Sequence, residues 1–184
     1  MGRTHEALTD ELRAFLERQP MFFVATAPLA REGMVNVSPK GLPSFTVLDA
    51  RTVAYLDLTG SGAETVAHVR ENGRIVLMFC AFEGDANIVR LHGQGTVLEP
   101  GDAGFDDLLA RFPPHPGTRS IIRVAVTRIS ESCGFGVPVM RYEADRPELR
   151  QWAEGKGPEG MRAYREKKNR VSLDGLPSIR GGNP

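Results

Sequence analysis

Arg74-Ile75-Val76-Leu77-Met78-Phe79-Cys80-Ala81-Phe82, followed by Glu83-Gly84-Asp85-Ala86 and a second stretch from Asn87 to Glu99, decides the architecture of this chain. The unbroken apolar run from Ile75 to Phe82 suits a strand buried on both faces and central in a sheet. Between the two stretches lies a link far shorter than the roughly twelve residues a parallel crossover needs, so the pair reads as an antiparallel hairpin. Gly93 and Gly95 inside the second strand predict a bulge or sharp coil, as the wall of a barrel requires.

Upstream, Thr52 to Leu58 reads as a strand that runs into Thr59-Gly60-Ser61-Gly62 and then a helix from about Ala63 to Glu71. Ser61 and Glu64 fit an S-x-x-E capping box, and Asn72-Gly73 supplies residues that tolerate positive φ at the helix end. Met21 to Ala27 is rich in strand formers and stops at Pro28, while Gly33 to Ser38 alternates Val35 and Val37 with Met34, Asn36 and Ser38; the two predict a hairpin. Before them, Leu8, Leu12, Phe15 and Leu16 share one helical face, with Thr9 or Asp10 as cap and Pro20 as stop.

Downstream, a helix is expected from Gly101 or Asp102 through Phe112, ended by Pro113-Pro114, then a long strand over Arg119 to Ile129 and a last strand over Val137 to Tyr142. Asp145 is a candidate cap for a turn with Pro147 in its first positions, leading through Leu149 and Trp152 to a second helix over about Glu159 to Lys168. Residues after about Pro177 are expected to fray. This order implies an α+β, mainly β fold on a small antiparallel β-barrel, with peripheral helices and a helical C-terminal segment. A single domain over 1–184 is expected, with an N-terminal helix in 1–20, the barrel in 21–143, C-terminal helices in 144–170 and a tail in 171–184.

The 184 residues carry 41% apolar and 25% charged side chains, a globular composition that excludes collagen-like and disordered classes. Lys and Arg number 23 against 23 Asp and Glu, so no global basic field gathers phosphate backbones, and no nucleic-acid partner is expected. No apolar run approaches the length of a membrane span, and Met1-Gly2-Arg3-Thr4-His5-Glu6 does not resemble a signal peptide; a cytoplasmic protein with no membrane partner is the expectation. Cys80 and Cys133 are too few and too far apart for a disulfide framework, and His5, His68, His92 and His115 never approach metal-ligand spacing.

Three stretches could carry chemistry. Gly60-Ser61-Gly62-Ala63-Glu64-Thr65 follows a strand and opens a helix, so its amides could hold an anion, a reading that stands level with a merely capped turn. Gly60 and Gly62 also match the start of a G-x-G-x-x-G dinucleotide fingerprint, but Thr65 replaces the third glycine and the hairpin after Phe82 cannot continue a doubly wound parallel sheet. Asn36-Val37-Ser38-Pro39-Lys40-Gly41 places polar side chains on alternate strand positions and ends in a Lys; by itself it reads as a solvated strand end, with a phosphate contact as the rival. Ser132-Cys133-Gly134-Phe135-Gly136-Val137-Pro138 is a loop whose glycines admit a flat ligand, and its Cys133 has no local His partner that would make it a nucleophile. Trp152 reads as a core or interface residue before a stacking one.

Taken as an ordered set, these stretches resemble the pyridoxamine 5′-phosphate oxidase-like split-barrel flavoproteins over roughly residues 20 to 130. The resemblance rests on Phe23-Val24-Ala25-Thr26, Val35 to Gly41, Tyr55-Leu56-Asp57-Leu58-Thr59-Gly60-Ser61-Gly62, Asn72-Gly73-Arg74-Ile75 and Gly93-Gln94-Gly95. Ser132 to Pro138 and Asp174-Gly175-Leu176-Pro177 resemble one bacterial branch. It implies a split antiparallel barrel that forms a homodimer with flavin mononucleotide, FMN, at the interface. On that carry-over Asn36, Val37, Ser38, Pro39 and Lys40 lie along the flavin, Leu56, Asp57 and Leu58 near its ribityl chain, and Ser61, Gly62, Glu64 and Thr65 at its phosphate. The chain departs from the oxidases at Glu64-Thr65, where they carry an Arg-Lys pair, and it has no match to their C-terminal Arg-x-His substrate pattern. The expectation is an FMN-dependent oxidoreductase of a small-molecule substrate that is not itself a pyridoxamine 5′-phosphate oxidase. The alternatives are a non-catalytic flavin- or haem-binding module and a deazaflavin-dependent reductase. Phe135, Met140 and Trp152 are interface-type residues that agree with a homodimer.

Overall fold

The computed structural model describes residues 2–181. Its elements in chain order are β1 (Arg3–His5), α1 (Asp10–Arg18), β2 (Met21–Thr26), β3 (Asn36–Gly41), β4 (Phe45–Asp49), β5 (Thr52–Leu58), α2 (Glu64–Asn72), β6 (Arg74–Cys80), β7 (Ile88–Leu98), α3 (Phe105–Leu109), β8 (Thr118–Ser132) and α4 (Glu148–Lys168). One sheet runs in the order β3-β2-β6-β7-β8-β5-β4, with β1 added along β8, and every pairing is antiparallel. The hairpin read from Arg74 to Glu99 is β6–β7, in register from Arg74 opposite Gln94 to Cys80 opposite Ile88. The register between β7 and β8 slips between His92 and Gly93, where a Cβ on Gly93 would press on the Ala125 carbonyl. The glycine lets β8 approach at the bulge, and the sheet curls there.

The curled sheet encloses a cluster in which Phe22, Phe79 and Tyr55 are buried and Phe45 packs against them from β4. Phe22 stacks on Phe79 with centroids 5.1 Å apart, and Phe45 meets Phe79 edge-on at 4.9 Å. Leu12, Phe15 and Leu16 of α1 and Val66 and Val69 of α2 join this cluster, as their spacing on one helical face dictates. Thr9 caps α1 by accepting from the Leu12 amide. On the other face of β5, Ala54 and Leu56 pack with Leu98, Phe105, Leu108 and Ile121 in a second cluster.

Several expectations are corrected. Ala63, not Ser61, is the N-cap of α2, without a side-chain cap bond. Ser61 lies two residues outside it, and Glu64 opens the helix where a capping box needs its third position. In β6, half-buried Val76 and Met78 alternate with buried Ile75, Leu77 and Phe79, so the strand is paired on both edges but fully buried on one face. The helix expected over about 101–112 shrinks to α3, because Gly104 precedes it in the left-handed region at φ 80°. Val137 to Tyr142 forms no strand: β1 already fills the edge of β8 at Ile129 to Glu131, and Pro138 lacks a ladder donor. Asp145 caps nothing; Pro147 is the N-cap of α4, which breaks at Gly157 (φ 64°) before Pro158. Ser178 and Ile179, just past Pro177, are packed rather than frayed: the Ser178 hydroxyl donates to the Ala63 carbonyl, and Ile179 is buried in the main cluster. Gly182 to Pro184 of the expected tail lie outside the described residues.

Candidate functional site

β3, β5 and the start of α2 meet at one end of the barrel, and they bring together most of the residues singled out from sequence. On β3 the side chains of Asn36, Ser38 and Lys40 turn inward while Val37 and Pro39 turn out, the alternation a strand imposes. The Asn36 amide donates to the hydroxyls of Thr26 (3.2 Å) and Thr65 (2.9 Å), and its oxygen accepts from Ser38 at 3.1 Å. Asn36 therefore stitches β3 to β2 and α2, with its donors spent on protein partners. Lys40 reaches the Asp57 carboxylate at 3.2 Å, so it is no solvated strand end.

Asp57 is the electrostatic centre of this end of the barrel. It is fully buried and accepts from Arg119 Nε at 2.6 Å, Arg119 Nη2 at 3.3 Å, Ser120 Oγ at 3.0 Å and Lys40 Nζ. Burial alone pushes a carboxyl up; Arg119 and then Lys40 more than reverse it and hold Asp57 well below the usual carboxylate range. One carboxylate faces two cations, so the group carries net positive charge.

Leu56 and Leu58 turn away from Asp57 into the cluster around Phe105 and Leu108, and contribute backbone alone to this end. Ser61 is exposed and Gly62 half-buried, with the Gly62 carbonyl accepting from Arg119 Nη1 at 2.8 Å. Glu64 folds its carboxylate back over Gly62, where a Cβ would collide with it. Thr65 is buried, and its hydroxyl receives the Asn36 amide. The first turn of α2, without a side-chain cap, and the two remaining N–H groups of Lys40 are the donors this corner offers to a ligand.

Sequence reasoning missed Arg119, Asn169 and Arg165. Arg119 also donates to Asn169 Oδ1 at 3.0 Å, Asn169 Nδ2 donates to the Gly60 carbonyl at 3.0 Å, and Arg165 Nε donates to Thr59 Oγ1 at 2.9 Å. The available signal was Asp57 itself, an acid within a strand whose apolar neighbours bury it, which demands a cation. His68 is buried too: its Nδ1 lies 2.9 Å from Thr26 Oγ1 and its Nε2 3.6 Å from the Asp174 carboxylate. That longer separation is an ion-pair distance without a hydrogen bond, and Nε2 has no bonded partner among the described residues. Cys133 is exposed and Cys80 buried, both as free thiols. The 132–138 loop lies at the far end of β8, where Phe135 is exposed. Among the described residues no helix is long and apolar enough to cross a membrane.

A sequence profile described as "Pyridoxamine 5'-phosphate oxidase" matches residues 8–133. A protein of Aspergillus flavus described as "Pyridoxamine 5'-phosphate oxidase family protein ustO" is 41% identical over 196 aligned positions, covering 95% of this chain and 77% of the relative. Among solved structures, Group A Streptococcus HupZ superposes with a TM-score of 0.51 at 23% identity, over 66% of this chain and 91% of HupZ. An alanine-substituted variant of HupZ gives 0.53 at 24% identity, over 67% and 98%. At these identities the structural likeness speaks to the fold.

Proposed function

The chain belongs to the pyridoxamine 5′-phosphate oxidase family, which typically binds flavin, and from that premise we propose that it binds FMN and acts as a flavin-dependent oxidoreductase on a small molecule. The observation that carries the reading is the meeting of Lys40, Thr65 and the first turn of α2 around the buried Asp57–Arg119 pair. That donor set fits a ribityl phosphate: a lysine with free N–H groups, a helix start without a side-chain cap, and net positive charge behind them. When bound, a flavin supplies the two-electron redox chemistry. Lys40 pairs with the anionic end, Asp57 fixes the Lys40 ammonium by charge and hydrogen bond, and Asn36 sets the spacing between β3 and α2. Val35 and Val37, exposed on the edge strand β3 and just before it, support a homodimer in which a second copy covers this edge.

Lys40→Ala is expected to weaken FMN at least tenfold, about 1.4 kcal/mol, in a flavin fluorescence titration. Affinity equal to the parent's in a folded variant would leave Lys40 as no more than a partner of Asp57.

The family's name does not fix the substrate. Pyridoxamine 5′-phosphate carries a phosphate of its own and needs cations beyond those that hold the cofactor. Lys40 is assigned to the cofactor phosphate, and the start of α2 carries Glu64 where a second phosphate would need a cation. We expect no pyridoxal 5′-phosphate from either the amine or the alcohol form with flavin loaded. Steady turnover in that assay would overturn this reading of Glu64.

A further inference from the structure

The C-terminal half of α4 and the segment after Ser178 wall a cleft of about 300 Å³ that reaches Arg119. Four guanidinium groups line it, from Arg119, Arg162, Arg165 and Arg180, against the two carboxylates of Glu99 and Glu166. Glu99 is held by Arg70 and, within the cleft, by Arg180, which also pairs with Asp102 at 2.6 Å; Glu166 lies 3.4 Å from Arg170. Arg119 at the floor is matched by Asp57. Among the described residues no carboxylate lies within ion-pair distance of Arg162 or Arg165, although the two are three residues apart on one helix.

Arg165 spends two of its five N–H donors, on Thr59 Oγ1 and on the Thr118 carbonyl, and keeps three. Burial, and then the neighbouring Arg119, push its guanidinium below its ordinary range, the mark of a cation held among cations away from water. Like charges gathered in a partly desolvated cleft cost free energy that a bound anion removes, and planar guanidinium forks match phosphate oxygens two at a time.

We propose that this cleft is a second anion site, separate from the Lys40 corner, and that it takes a small molecule bearing a di- or polyphosphate group. Arg162 and Arg165 grip the oxyanion from α4, while Arg180, held by Glu99 and Asp102, borders the cleft on the C-terminal segment. The site does not depend on the flavin reading, since none of its ligands comes from β3 or the first turn of α2.

The test is calorimetric titration of inorganic pyrophosphate into the full chain, without and with saturating FMN, at physiological ionic strength. Arg162 is exposed, so Arg162→Gln leaves the fold intact. It is expected to weaken pyrophosphate about tenfold or more, and Arg165→Gln to do the same, while Lys40→Ala changes it by less than about twofold. Added FMN is expected to leave pyrophosphate affinity in place. No binding by the parent, equal affinity in Arg162→Gln, or loss of binding in Lys40→Ala or on adding FMN would each overturn the proposal, the last two by moving the anion to the Lys40 corner.

Discussion

Replacing Asp57 with alanine is expected to cost about 3–5 kcal/mol of stability, because it strips the partner from two cations at once. Arg119 is 4% exposed and cannot recover its hydration by moving out, whereas Lys40, at 18% exposure, recovers part of its own. The acid limb of the stability curve carries the same information. The folded-state pKa of Asp57 lies below its unfolded value, so its contribution is complete above the ordinary carboxylate range near about 4 and is lost progressively as pH falls below it. Between neutral pH and that range the parent holds this contribution in full. Below it the parent loses stability more steeply than Asp57→Ala does. Guanidinium unfolding of both proteins across the acid range checks this; a loss under about 1 kcal/mol at neutral pH, or parallel acid limbs, would contradict the ion-pair account.

Phe79→Ala is expected to cost a similar 3–5 kcal/mol or so, for a reason independent of charge. Phe79 is fully buried on β6, stacked on Phe22 of β2 and met edge-on by Phe45 of β4, while Phe22 also meets Tyr55 of β5 at 5.6 Å. One ring therefore links the two halves of the curled sheet across the core. Phe45 is only half-buried, and Phe45→Ala is expected to cost less. Equal losses for the two variants in chemical denaturation would show that Phe79 is not the keystone of this contact.

What could be read in advance follows from the range of the interactions involved. The β6–β7 hairpin, the bounds of β5 at Thr52 and Leu58, and the bulge at Gly93 depend on neighbouring residues and on backbone sterics, so the sequence displays them. β4 escaped because Phe45 to Asp49 is short and lies between Pro43-Ser44 and Ala50-Arg51; its pairing with β5 and its contact with Phe79 make it a strand. The packed C-terminal segment escaped for the same reason. Asn169 and Ser178 are polar residues whose partners, Gly60, Ala63 and Arg119, lie more than forty residues away in the chain. At the candidate site, Asn36, Lys40, Asp57 and Thr65 were legible through their likeness to a known family. The spending of the Asn36 donors, the pairing of Lys40 and the role of Arg119 were set by side-chain geometry that strand alternation alone does not fix. Leu56 and Leu58 show the converse, since alternation from Asp57 already sends them to the other face.

The absorbance spectrum of the purified full chain, with mass analysis of whatever acid denaturation releases, tests the flavin reading most directly. The account predicts bands near about 370 and 450 nm with release of FMN, or quenching of FMN fluorescence and co-elution of the flavin when the purified protein is mixed with FMN. A sharp Soret band, or a colourless protein that leaves added FMN unquenched and unbound, would contradict it.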